Sequence, residues 1–217
     1  MTANHTPFAT AASPDLDALY SSPAERIQKA VLDRLIDVHE AYLRQATFFC
    51  LATASGDGLD ASPRGGSAGF VHVMDERTVA FADWPGNNRI ESMRNLQRDE
   101  RVGLLFIFPG LDVFLRLNGC ARIATDPALL DRLAEGGRAP KAATVVSVRE
   151  VLFHCGKAVN RARLWAPESL VERTSLPTVG QVVATIGKLN DPRSPIDDLQ
   201  ARELDTHYDH AVRHDLY

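Results

Sequence analysis

Two arginines stand at the ends of strand-like runs in the stretch from Leu59 to Met93. Arg64 lies in SPRGG, at the end of one run, and Arg89 lies in WPGNNR, which follows the next hairpin. If these runs pair as neighbours in a sheet, both guanidinium groups can reach one pocket at its edge. A guanidinium carries a permanent charge and a planar fork of donors, which suits the oxygens of a phosphate. The pattern therefore predicts a phosphate clamp.

The segment SPRGG, residues 62–66, combines features that bring backbone close to a ligand. Proline removes a donor from a strand, and paired glycines allow close approach. We interpret the segment as a bulged strand end whose amides, together with Arg64, meet the ligand. A plain turn with a surface arginine is an equally weighted alternative.

The segment WPGNNR stands where a strand gives way to a predicted helix over residues 87–99. Amides at a helix start favour an anion, and Asn87 or Asn88 can cap the helix while donating to a phosphate oxygen. Taken alone, so short a motif is more often a simple helix cap followed by an exposed arginine.

Two further basic groups are candidates for ligand contact. Arg116 lies in the alternating run DVFLRLNGCARI, where an arginine on an edge strand facing water is slightly favoured over one at a subunit seam or over a ring edge. Lys157, Arg161 and Trp165 are spaced by four residues, so on a helix they share a face that offers charge and a stacking plane. We favour a ligand contact for this face over a solvated basic turn.

Composition excludes several classes of function. A net charge of -4 argues against bulk electrostatic binding to nucleic acid. The three scattered cysteines suit a reducing cytoplasm, and the adjacent His154 and Cys155 lack a second ligand pair, so no metal site is predicted. No apolar run reaches the ~18 residues of a membrane helix, and the first residues do not read as a secretory signal. Dinucleotide-binding, P-loop and nucleophile-elbow motifs do not occur.

The order of elements favours an antiparallel barrel. Ser22 and Pro23 open a predicted helix with a buried stripe formed by Ile27, Val31, Leu35, Val38 and Tyr42. Strand-like runs then follow, joined mostly by hairpins such as GDG, and we count roughly six strands with inserted helices. We expect an N-terminal arm (residues 1–21), one barrel domain (22–166) and a C-terminal helical extension packed on that domain (167–217).

Together these segments resemble the pyridoxamine 5'-phosphate oxidase-like, FMN-binding split-barrel family. Within it they resemble a bacterial branch of FMN-dependent enzymes of unassigned substrate. The resemblance covers about Arg26 to Trp165 and rests on FFCLATAS with DASPRGG, FADWPGNNRIESMRNL, LRLNGCARI and FHCGKAVNRARLW. It implies a mainly β (α+β) fold, namely a six-stranded antiparallel split β-barrel with flanking helices. It also implies a homodimer with FMN in clefts between the subunits.

The resemblance also implies roles for particular residues. Arg64 and Arg89 would take the phosphate with help from Asn88, and Ser62, Pro63 and Gly65 would offer backbone to the ring system. Lys157, Arg161 and Trp165 of the other subunit would close the cleft. The full set of cofactor-binding candidates is Ser62, Pro63, Arg64, Gly65, Asn88, Arg89, Arg116, Lys157, Arg161 and Trp165.

The expected activity is that of an FMN-dependent oxidoreductase acting on a small molecule, with no catalytic side chain assigned. Gly65 and Gly66 stand where the oxidase proper carries a basic residue and an aliphatic pair. The resemblance therefore supports FMN binding better than oxidation of pyridoxamine 5'-phosphate. The alternatives are a flavin-binding or sensing module without turnover, and a barrel that binds haem or a deazaflavin. His72 or His154 would serve a haem.

Overall fold

The computed structural model describes residues 13–56, 58–84, 86 and 88–216. The chain divides into two compact units, residues 1–31 and 32–217. In the described part of the first unit, two single-turn helices form, α1 (Leu16–Leu19) and α2 (Glu25–Gln28). The Asp15 carboxylate caps α1 by accepting from the amides of Asp17 and Ala18. The division into arm, domain and extension stays a prediction.

The second unit is built on one antiparallel sheet. Its described strands are β1 (Phe48–Ser55), β2 (Gly58–Gly65), β3 (Val71–Asp75), β4 (Thr78–Asp83), β5 (Arg101–Ile107), β6 (Val113–Ala124) and β7 (Ala142–Cys155). Their order is β2-β1-β5-β6-β7-β4-β3. The predicted mainly β fold with flanking helices is confirmed, but the count of six strands is wrong. The described sheet has seven strands and is not closed, because the β1–β2 and β3–β4 hairpins form its two ends without pairing with each other.

Alternation along the strands separates a buried face from an outer face. The interior is filled by aromatic and aliphatic side chains; the ring of Phe49 lies 5.0 Å from those of both Phe81 and Phe106. Because Phe49 belongs to β1 and Phe81 to β4, the sheet curves enough to bring strands from its two halves together. This curvature lets residues at distant positions in the sheet share one cavity.

A bulge lies between β6 and β7, the two longest strands. The register shifts between Asn118 and Gly119. A Cβ on Gly119 would lie 2.1 Å from the carbonyl oxygen of Ser147, so only glycine allows this close approach.

The long helix predicted after Pro23 is wrong. α2 ends at Gln28, and α3 (Asp37–Leu43) begins nine residues later. Between them, the amide and carbonyl of Leu32 form hydrogen bonds of 3.0 and 2.8 Å with Val151 of β7. The apolar spacing is that of a helix, but pairing with a distant strand determines the local structure. Within the predicted stripe, Leu35 is buried, whereas Val38 is 53% exposed.

The remaining helices are α4 (Glu91–Leu96), α5 (Pro127–Arg132), α6 (Lys157–Ala162), α7 (Val179–Asn190) and α8 (Asp198–His214). The predicted start of α5 is confirmed, since the Asp126 carboxylate accepts from the amide of Leu129 at 3.0 Å. Within the described ranges, none of the helices combines the length and the apolar character needed to cross a membrane.

Candidate functional site

The two predicted clamp arginines line one cavity of about 380 Å³, here called the arginine cavity. It lies beside the ends of β2 and β4, next to the segment that leads into α4. Its lining consists of Pro63, Arg64, Gly65, Phe70, Ala82, Asp83, Trp84, Gly86, Asn88, Arg89, Ile90, Lys141 and Leu216. The expected reason for this proximity is wrong, because β2 and β4 are not neighbours in the sheet. The curvature of the sheet brings their ends together.

Arg64 is held by a small hydrogen-bond network. Its Nη2 donates to Oγ of Ser92 at 3.2 Å, and its Nη1 donates to the carbonyl oxygen of Pro63 at 2.9 Å. Ser92, on α4, is only 3% exposed, and its hydroxyl donates to the Asp60 carboxylate. The guanidinium is therefore positioned before any ligand arrives, because Ser92 accepts from Arg64 while it donates to Asp60.

The electrostatic setting of Arg64 favours an anion. Partial burial lowers the pKa of its guanidinium, and the negative charges of Asp83 and Asp60 oppose that shift. An arginine remains protonated under such conditions, so the cavity presents a charge that is partly withdrawn from water. A phosphate that reaches it meets less competition from solvent than at an open surface.

Ser62 does not face the arginine cavity with its hydroxyl. The Ser62 Oγ donates to Oδ2 of Asp60 at 2.9 Å, on the side of β2 that meets Ser92. Pro63 and Gly65, by contrast, line the cavity. The structure thus places two of the three predicted backbone contacts at the cavity and gives Ser62 a part in the network that holds Arg64.

Arg89 contributes a more exposed charge. Its side chain is 74% exposed, and its Nε donates to Oε1 of Glu91 at 3.0 Å. An exposed ion pair is weak and exchanges readily with other partners. Breaking this ion pair would therefore cost Arg89 little free energy.

The predicted helix cap is wrong. α4 begins at Glu91, its N-cap is Ile90, and no side chain caps it. Asn88 instead adopts a left-handed backbone with φ of 58°, a conformation that asparagine tolerates better than most residues. Asn88 lines the cavity, while Asn87 lies outside the described residues. Because α4 has only six residues, an anion in the cavity would depend on side-chain cations rather than on the start of the helix.

Sequence reasoning missed two ionisable residues of the cavity, Asp83 and Lys141. Asp83 ends β4, and burial raises the pKa of its carboxyl group, while Arg64 and Lys141 oppose the shift. Lys141 directly precedes β7, whose residue Ala142 pairs with Asp83. The sequence could have indicated Asp83, because this acidic residue directly precedes WPGNNR. Nothing local marks Lys141, because the pairing of β4 with β7 places it there.

The raised pKa of Asp83 predicts a pH-dependent effect of Asp83→Asn. The folded protein holds this proton more tightly than the unfolded chain, so the stabilisation is present below the ordinary value of 3.8 and is lost as pH rises through the raised pKa. Asparagine does not ionise, so the variant does not lose this stabilisation as pH rises. We expect the variant to have a larger free energy of unfolding than the wild type at about pH 7, with a difference that shrinks toward about pH 4.

Urea denaturation at several pH values measures this difference. Asp131→Asn, on the exposed surface of α5, is the matched control and should show no such trend. A difference for Asp83→Asn that is constant with pH, or that grows as pH falls, would contradict the assignment.

Arg116 does not lie on an edge strand, so the favoured interpretation of it is wrong. β6 runs between β5 and β7, in the middle of the sheet. The Arg116 Nη2 donates to Oε1 of Glu150 at 3.0 Å, and Nδ2 of Asn118 donates to the same oxygen at 2.9 Å. The Arg116 Nε is buried and has no hydrogen-bond partner within the described part of the chain. Arg116 lies outside the arginine cavity, on the outer face of the sheet.

The basic helix α6 also lies away from the arginine cavity of its own chain. Lys157 and Arg161 share a face, since Arg161 Nε donates to the Lys157 carbonyl oxygen at 3.3 Å. Trp165 does not continue that face, because Arg163 adopts a left-handed backbone that ends α6. The Trp165 indole N–H instead donates to the carbonyl oxygen of Leu111 at 3.0 Å. Closure of a partner subunit's cleft by these residues stays a prediction.

The two histidines considered for haem lie outside the arginine cavity. His72 is on the edge strand β3, and His154 is near the end of β7. Burial lowers the pKa of both imidazoles, so both are neutral near pH 7. No group of three or more His, Cys, Asp or Glu residues suited to a metal ion occurs within the described residues.

A family model described as "Pyridoxamine 5'-phosphate oxidase" matches residues 35–155, which is more than half of the chain. No curated protein matches the chain. The match ends at the last residue of β7, so α7 and α8 lie outside it.

Solved structures similar to the chain come from several bacteria. HupZ from Group A Streptococcus is 20% identical, with a TM-score of 0.44 over 54% of this chain and 92% of that one. A protein from Clostridium acetobutylicum related to general stress protein 26 (pyridoxinephosphate oxidase family) is 13% identical, with a TM-score of 0.42 over 54% and 87%. The FAD binding protein from Mycobacterium smegmatis is 14% identical, with a TM-score of 0.40 over 57% and 97%.

Proposed function

This chain belongs to the pyridoxamine 5'-phosphate oxidase family, and we propose that it is an FMN-dependent oxidoreductase acting on a small organic molecule. The observation that carries the proposal is the meeting of Arg64 and Arg89 in one cavity. Lys141 adds a third cation to the described lining of this cavity, and Asp83 adds one carboxyl group. This donor set suits the phosphate of a mononucleotide, because charged donors form the strongest hydrogen bonds to phosphate oxygens.

Bound FMN would supply the redox chemistry, since the isoalloxazine ring exchanges hydride or electrons with a substrate. The chain's own residues bind and orient. Arg64, fixed by Ser92, and Arg89 hold the phosphate, while Pro63 and Gly65 offer backbone along the cavity wall. A phosphate beside Asp83 favours the protonated carboxyl group, which then donates to a phosphate oxygen instead of repelling it.

We place the second subunit of a homodimer on the outer face of the four central strands. Register puts twelve residues there in three rows, and none of them is fully buried. This central outer face consists of Phe48, Ile107, Phe114 and His154; Cys50, Leu105, Arg116 and Leu152; and Ala52, Gly103, Asn118 and Glu150. A face with this much apolar surface around one polar cluster is typical of a surface that pairs with another protein.

The position of α6 supports a role for the dimer in the site. α6 begins two residues after β7 ends at Cys155, next to the row that contains Phe114 and His154. A second copy on the central outer face would therefore meet the basic helix. We propose that Lys157 and Arg161, with Trp165, then complete the cofactor cleft of the partner. The thiols of all three cysteines are free, which suits the cytoplasm where we place the protein.

The absorbance spectrum of the purified protein tests the cofactor, and reduction tests the activity. We expect a yellow protein with the two-band spectrum of an oxidised flavin, bleached by light or by NAD(P)H and restored by an oxidant. A haem or deazaflavin spectrum would contradict the cofactor. A bound flavin that no reductant or acceptor reaches would instead favour a binding or sensing module.

A further inference from the structure

The C-terminal hairpin of α7 and α8 carries an apolar groove, here called the helical groove. Its volume is about 710 Å³. Its apolar lining includes Val179, Val183, Leu204, Tyr208, Val212 and Leu216. Val183 is 39% exposed and Val212 is 44% exposed. Because both side chains line the same groove, they contribute to one exposed apolar surface. Such surfaces on a folded protein usually mark a binding site.

The hairpin holds this groove in a fixed shape. A Cβ on Gly180 would lie 1.9 Å from the carbonyl oxygen of Ala201, so the two helices approach as closely as backbone allows. The Gly180 amide donates to the Asp205 carboxylate at 2.7 Å. Capping boxes at Thr178 and Asp197 fix the start of each helix. A groove formed by rigid elements is preformed, as small-molecule sites usually are.

The helical groove adjoins the arginine cavity. Gly86 and Leu216 line both. The arginine cavity is cationic and suits a phosphate, while the adjoining groove is apolar and carries the rings of Tyr208 and His207. The groove is formed largely by residues beyond the family match, so it is a feature of this chain rather than of the matched region.

We propose that the helical groove is the substrate site, and that the substrate is an uncharged, largely apolar molecule with one or two fused rings. The proposal rests on the proposed function, because it takes the neighbouring cavity as the cofactor site. A volume of several hundred cubic ångströms with apolar walls and few polar groups is typical of sites for such molecules. Tyr208 offers a ring face for stacking, and His207 and Asp215 offer hydrogen bonds.

A small molecule fits the groove better than a second copy of the chain. The groove is a concave space next to a cavity suited to a phosphate, whereas the central outer face extends across four strands of the sheet. A substrate also has to lie beside the ring system of its cofactor, and the shared lining at Gly86 and Leu216 keeps the groove next to the cavity in which we place that cofactor. The groove and the sheet face thus take different occupants.

Equilibrium dialysis with 2-naphthol tests the proposal, because this probe is uncharged and has two fused rings. We expect it to bind the wild type with FMN present. Val183→Asp should weaken binding at least tenfold, since it puts a carboxylate into the apolar wall. Leu189→Asp is the matched control, because Leu189 is on the same helix, is 77% exposed and does not line the groove. The control should bind within about twofold of the wild type.

The FMN affinity of the same preparations separates this proposal from the proposed function. Val212→Asp, on the facing helix, repeats the test if Val183→Asp does not fold. Equal 2-naphthol affinity in wild type and groove variants would overturn the substrate site, as would displacement of 2-naphthol by FMN. Failure of the wild type to bind FMN would overturn the proposed function, while the 2-naphthol result would still decide what the groove binds.

Discussion

The double variant Arg64→Ala, Arg89→Ala is expected to purify without bound flavin and to bind added FMN at least about 100-fold more weakly than the wild type. Each arginine supplies charge-assisted hydrogen bonds, which contribute about 1.5–3 kcal/mol apiece, and 1.4 kcal/mol corresponds to a tenfold change in affinity. Arg64 should have the larger individual effect, because Ser92 positions it and it is partly buried. Titration of the apoprotein with FMN, followed by flavin fluorescence, measures the loss.

The matched control is Arg94→Ala, Arg122→Ala, which removes the same charge from exposed positions outside the arginine cavity. It should bind FMN like the wild type. If the clamp variant stays yellow at wild-type occupancy, the phosphate assignment fails. Equal weakening in both double variants would show a general effect of net charge and would contradict a specific clamp.

Leu105→Arg is expected to convert the proposed dimer to a monomer and to release FMN. Leu105 of β5 is 36% exposed in the middle row of the central outer face, and it pairs with Arg116 of the neighbouring strand β6. In the proposed dimer, a new arginine there would be buried beside Arg116 of its own chain, and the nearby Glu150 carboxylate is already engaged by Arg116 and Asn118. A buried unpaired charge costs roughly 3–5 kcal/mol, which weakens association by two orders of magnitude or more.

Sedimentation velocity gives the mass, and flavin absorbance in the same sample gives the occupancy. Leu189→Arg, at an exposed position on α7, is the control and should remain dimeric and yellow. A monomeric wild type, or a dimeric Leu105→Arg, would contradict the assigned interface. A monomeric variant that keeps full flavin would show that the partner subunit contributes nothing to the cleft.

The strands could be predicted because their signal is local. β1 coincides with the run FFCLATAS, and β2 and β6 overlap the runs DASPRGG and DVFLRLNGCARI. Alternation and hairpin glycines suffice for this, since neighbouring strands in sequence pair through short turns. The helix expected around Val31 failed because Leu32 pairs with Val151, a partner that no local pattern can indicate.

The candidate site could be predicted only in part. Arg64 and Arg89 were recognisable from residue type and from the glycines and asparagines beside them. Their meeting depends on the curvature of the sheet rather than on the pairing of β2 with β4. Lys141 reaches the arginine cavity through the pairing of Asp83 with Ala142, residues 59 positions apart. Such non-local pairings depend on the whole fold, so single motifs do not reveal them.

A crystal structure of the protein grown with FMN is the most direct test of the clamp. We expect the phosphate to lie in the arginine cavity, with oxygens within hydrogen-bond distance of the guanidinium groups of both Arg64 and Arg89. FMN bound elsewhere, or with its phosphate out of reach of these two side chains, would contradict it.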